Sequence, residues 1–163
     1  MKSLLGKLGV IIVIIVIIGF SIFVYANDEV LKSKGLCYTI ENYINGLVDY
    51  TTTKCLPGTG SQKGTIGFIL ISSKPIFSVE ASKKAWLIGV VGAVGKVMRD
   101  NPNIKVGEVY VSDTNLMKNR RAYIFPGELA KTLQLKAFDG EINLEHLYLQ
   151  LNRAMKEIDI PQK

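Results

Sequence analysis

The stretch Leu8–Ala26 (LGVIIVIIVIIGFSIFVYA) limits what this chain can become more than any other feature. No charged residue occurs from Leu8 to Asn27, and Val10 to Ile18 are all Val or Ile. A membrane-spanning helix needs about 20 apolar residues, with a range of roughly 17–25. As a helix this stretch would cover about 28 Å, close to the thickness of the hydrocarbon core. Backbone groups in lipid must bond internally, so a helix is expected despite the β-branched side chains.

Two fates fit the stretch. One is a retained single-pass anchor. The other is a secretory signal removed after Ala26, since Lys2 and Lys7 precede the apolar run and a small residue ends it. The run exceeds the usual core of about 7–15 residues of a signal peptide, which favours the anchor. Either way Lys2 and Lys7 keep the N-terminus in the cytoplasm and send the rest across the membrane. A pilin-type leader processed after Gly9 would require Glu at the fifth mature residue, where Ile14 stands.

The expected organisation is residues 1–26 as anchor or signal, 27–64 as an amphipathic helix and a Gly/Ser/Pro loop, and 65–160 as an exterior domain. The net charge is +6, and it falls to +4 without residues 1–26. That balance favours anionic contacts weakly and does not argue for nucleic acid. Cys37 and Cys55 are the chain's two cysteines. Both lie on the exterior side, where an oxidising compartment favours one disulfide. A continuous helix over residues 37–50 would barely permit it, whereas a helix ending near Gly46 would bring the pair together easily.

Beyond the anchor, Leu36, Ile40, Tyr43, Ile44, Leu47 and Val48 recur at helical spacing, with Glu41, Asn45 and Asp49 on the other side. Leu56–Gly64 reads as loop. Thr65–Ser72 (TIGFILIS) is a continuous apolar run and predicts a strand buried on both faces. Ile76–Phe77 predicts a short return strand, and Ser78 caps a helix from Val79 to Arg99. Ile104–Ser112 and Arg121–Phe125 predict two more strands. Asp113–Asn119 connects them. Pro126 opens a helix, and Asn143 caps a final one carrying the stripe Leu144, Leu147, Leu151, Met155 and Ile158, ended by Pro161.

Three features stand out as sites. Gly89, Gly92 and Gly95 weaken a helix by about 1 kcal/mol each, which points to close packing or a self-association face. They fail as a phosphate loop, because five residues separate Gly89 from Gly95 and Val97 follows Lys96. Lys118, Arg120 and Arg121 form the densest basic cluster, suited to an anion or lipid headgroup. His146 is the single histidine and lies on the polar side of the last helix, with no nucleophile motif beside it. No metal, nucleotide or cofactor motif is present.

The expected fold class is α+β: a transmembrane or signal helix, then one small, mostly antiparallel sheet with helices on one side. The two long strands flank the Gly-containing helix, as in a parallel pair with a crossover. The expected function is non-catalytic. The anchored protein would present its periplasmic or extracellular domain as an interaction module for a protein partner in an envelope assembly, with self-association as a further role. The alternative is a secreted or periplasmic protein that binds an anionic ligand.

Overall fold

A computed structural model describes residues 35–58 and 64–160. The anchoring stretch Leu8–Ala26, the Ala26–Asn27 junction and the middle of the Gly/Ser/Pro loop lie outside the described residues. The elements are helix α1 (residues 35–47), β1 (Thr51–Pro57), β2 (Thr65–Ser72), a 3-10 turn (Ile76–Ser78), α2 (Glu80–Asp100), β3 (Lys105–Asp113), α3 (Thr114–Lys118), β4 (Arg121–Pro126), α4 (Gly127–Phe138), α5 (Leu144–Ala154) and β5 (Lys156–Asp159). Residues 37–58 and 64–160 belong to one compact unit.

The sheet has five strands in the order β1-β2-β3-β4-β5. The β2–β3 pair is parallel and the other three pairs are antiparallel. This is the expected α+β class, with a sheet that is mixed. The parallel pair follows from α2, whose 21 residues carry the chain back before β3 begins.

One face of the sheet holds the core. Phe68, Leu70, Val109 and Val111 are 0% exposed, and Phe125 is 1% exposed. An irregularity in the β2–β3 register pairs Ile66 with Val106 but Phe68 with Val109. The extra β3 residue lets both valines face inward despite their odd spacing. The helices pack on this side. The middle of α2 is apolar all round and accordingly enclosed, with Trp86, Leu87, Val90, Val91, Val94 and Met98 buried. At Gly95, an added Cβ would lie 2.5 Å from Gln134 Cβ, so α2 and α4 meet there too closely for a side chain. At Gly127, an added Cβ would lie 2.4 Å from Val106 Cγ1, which seats the start of α4 on β3.

The β1 edge is closed by α1. Cys37, Glu41 and Asn45 lie four residues apart and so share one line along the helix. The Cys55 N–H donates to Glu41 Oε1 at 2.8 Å, and the Thr53 N–H donates to Asn45 Oδ1 at 2.8 Å. Four helical residues rise about 6 Å and two strand residues about 6.8 Å, so the two periods stay in register over this length. Pro57 has no N–H to offer. Two outward donors of this edge strand, at Thr53 and Cys55, which would otherwise invite another strand, therefore already have acceptors. Cys37 and Cys55 form the expected disulfide, with Cα atoms 5.1 Å apart. Ending the helix at residue 47 makes this possible, because the chain reverses through Tyr50 at φ 56°.

Several expectations change. Thr51–Pro57 is a strand, although its last two residues read as loop; it exists because β2 offers an edge to pair with. Glu41 and Asn45 turn towards β1 rather than standing only on a polar side. Ile76–Ser78 is a 3-10 turn, and the Ser78 hydroxyl donates to the Pro75 carbonyl at 2.6 Å instead of capping α2. The final helix stops at Ala154, and Lys156–Asp159 pairs with β4. Beyond Ala154 the sequence KEIDI also alternates with period two, and the free edge of β4 selects that period over the helical one.

Candidate functional site

Because side chains alternate along each strand, the residues not facing the helices form a second face, open except at Ser112 and Ala122, which are buried. The pairing registers arrange them in rows across the strands. One row is Thr52, Ile71, Ser112, Ala122 and Ile158; the next is Lys54, Ile69, Tyr110, Ile124 and Lys156. A third has Leu56 on β1, Gly67 on β2 and the Glu108–Pro126 pair. Ile69, Ile71, Tyr110, Ile124 and Ile158 are half-buried, and Leu56 is 50% exposed. The expectation that β2 is enclosed on both sides is therefore corrected. Its residues alternate strictly between buried and half-buried, because α2, α4 and α5 cover one face only.

The charges on the open face are ordered. Lys54 stands on β1 at one margin and Lys156 on β5 at the other, in the same row. Lys54 lies 3.9 Å from Glu41, a loose pair, and Lys156 makes no ion pair among the described residues. Near the centre, the Tyr110 hydroxyl donates to Glu108 Oε2 at 2.6 Å. That bond, with partial burial and the carboxylate's charge behind it, pushes the Tyr110 phenol up to about 12. Glu108 keeps its negative charge while it accepts this bond, so the face presents an apolar centre with a cation at each margin and one carboxylate on the middle strand, a row away.

A second polar group lies at the carboxyl ends of the parallel strands, the place where open sheets commonly hold ligands. Here the groups satisfy one another. The fully buried Asp113 accepts N–H donors from Phe77, Asn115 and Leu116 at 2.8, 2.9 and 2.8 Å. Phe77 stacks on Tyr123 with ring centres 5.2 Å apart and meets Trp86 edge-on at 6.1 Å. Lys83 donates to Asn152 Oδ1 at 2.8 Å and lies about as far from the Tyr123 ring (6.0 Å) as from the Tyr148 ring (5.9 Å). The Tyr148 hydroxyl donates to Glu80. Burial raises the Tyr148 phenol first and the Glu80 bond raises it further; burial also raises Tyr123. These contacts join the start of α2 to α5 and β4.

The residues singled out from sequence fall in different places. Lys118 ends α3, and Arg120 occupies the left-handed region at φ 55° in the turn to β4. Arg121 opens β4 and donates to Glu157 at 3.1 Å, whereas the exposed Lys118 and Arg120 of that turn have no ion pair among the described residues. Gly89 faces Val48, Gly95 faces α4, and Gly92 has open space around it. His146 is exposed on α5, and its backbone N–H donates to the capping Asn143. Among the described residues, no group of three or more His, Cys, Asp or Glu could hold a metal ion, and no helix is long and apolar enough to cross a membrane. The open face went unnoticed in sequence because a continuous apolar run does not say which of its faces is covered.

No protein-family model matches this chain, and searches of curated proteins and of solved structures returned no match.

Proposed function

We propose that this is a single-pass, membrane-anchored envelope protein whose exterior α+β domain is a non-catalytic protein-interaction module, docking its partner on the open face of the sheet. The observation that carries this reading is the partly exposed band of Ile69, Ile71, Tyr110, Ile124 and Ile158 on a face that none of the large described helices covers. Contiguous apolar surface in contact with water is a common mark of an interaction site. The anchoring sequence Leu8–Ala26 supports the membrane address, and the Cys37–Cys55 bridge fits an oxidising compartment outside the cytoplasm.

Two measurements test the reading. The intact mass of the protein extracted from membranes should include residues 1–26; a mass lacking them removes the anchor. A photo-crosslinking amino acid placed at Tyr110 should capture a polypeptide in native membranes, whereas one placed at exposed Glu141 should not. Equal capture from both positions would remove the docking face.

A further inference from the structure

We infer that the open face receives an amphipathic helix whose apolar stripe is bordered on both sides by carboxylates. The inference rests on the docking face proposed above and specifies its occupant. Lys54 and Lys156 belong to the first and fifth strands of one row, four strand spacings apart, or about 19 Å. A helix with its side chains is about 10–12 Å across. A single helix lying along β3 would therefore fill the space between the lysines. Glutamates on its two flanks would reach one ammonium each. Its stripe would meet Ile69, Tyr110 and Ile124, and one row further along it would meet Ile71 and Ile158 on either side of the buried Ser112 and Ala122. Rows on one face repeat every two residues, about 6.8 Å, against about 5.4 Å for one helical turn, so the two periods match over one to two rows.

The charge order disfavours a second copy. In a two-fold arrangement with the open faces together and the axis along the strands, Lys54 of one chain would oppose Lys156 of the other. With the axis across the strands, Lys54 would oppose Lys54. Either brings like charges together at the margins of the apolar band. The charged Glu108 does not relieve this, because it stands on the middle strand, two strand spacings or about 10 Å from the strand of either lysine.

The test uses the full chain in nanodiscs of neutral lipid and three fluorescent, side-chain-stapled peptides of about 18 residues, roughly 27 Å as helices. The first has a Leu/Ile stripe flanked by Glu. The second has the same stripe flanked by Lys, and the third scrambles the first. The Glu-flanked peptide should bind at least about tenfold more tightly than the Lys-flanked one, the scale of two modest ion pairs replaced by two repulsions. Lys156→Glu should remove or invert the preference, and Ile124→Asp should abolish binding. Far-UV circular dichroism and an intact disulfide would check that both variants fold; Lys156→Glu breaks no ion pair and keeps the test decisive if Ile124→Asp does not fold. Equal binding of the two striped peptides, binding as tight by the scrambled one, or no binding at all overturns the inference. So does a dimer of the full chain that Ile124→Asp disperses. If crosslinking at Tyr110 captures a polypeptide while no peptide preference is seen, the inference falls and the interaction module stands. If Tyr110 captures nothing specific, the module itself falls.

Discussion

Ile69 and Leu70 are neighbours in one strand, and the sheet gives them opposite surroundings. Leu70 is wholly enclosed beneath the helices, while Ile69 keeps part of its surface in water. The same contrast separates Val109 from Tyr110 and Phe125 from Ile124. The helix-covered face has used its apolar surface in folding. The open face retains apolar surface whose burial would give a partner roughly 25 cal/mol per Å². One strand of nearly uniform hydrophobicity thus serves stability on one side and is available for recognition on the other.

This contrast can be broken by substitution. The largest effect is expected at Phe68, where Phe68→Ala should cost about 3–5 kcal/mol in urea unfolding through lost burial and a cavity. A cost below about 1 kcal/mol would contradict an enclosed helix side. Next, Cys37→Ser with Cys55→Ser should cost about 3 kcal/mol by releasing a loop of 18 residues in the unfolded chain. Unfolding curves with and without reductant provide the same comparison on the native protein. Glu41→Ala leaves the Cys55 N–H without its acceptor at the β1 edge and should cost about 1–3 kcal/mol, with faster amide exchange at Cys55 as the local signature.

On the open face, Ile69→Thr should cost less than about 1.5 kcal/mol while weakening crosslinking through Tyr110; a cost equal to that at Phe68 would erase the difference between the faces. The smallest effect is spectroscopic. Tyr110 should ionise near pH 12 rather than 10, and Glu108→Gln should bring it back towards 10, seen as phenolate absorbance in the difference titration. Since the raised value favours the neutral phenol, the stability from this bond is fully present below pH 10 and is lost as the pH rises to about 12.

Much of the architecture could be read locally. Thr65–Ser72 was bounded by turn residues on both sides and occupies that span in the sheet. Asn143 was a good cap and does accept the His146 N–H. The readings that failed were those decided by distant partners. Thr51–Pro57 mixes β-branched residues with Pro and becomes a strand only against β2. Met155 and Ile158 extend the α5 stripe arithmetically, yet Ile158 pairs with Ala122 on β4. The open face was hidden for the same reason: Ile69 and Leu70 look alike in sequence, and only the position of the helices distinguishes them. Glu41 and Asn45 were visible as polar residues of an amphipathic helix, but their role depends on an edge strand that local patterning did not reveal.

The Cys37–Cys55 bridge also has a mechanical meaning. A pull arriving along the backbone at Cys37 meets two covalent routes, one through α1 and one across the sulfurs to β1. Tension is thus shared with the sheet before any turn of α1 is loaded alone, and α1 cannot be peeled from the strand it shields while the bridge lasts. Reduction would convert this shared load into a serial one, in which the Glu41 and Asn45 contacts give way in turn.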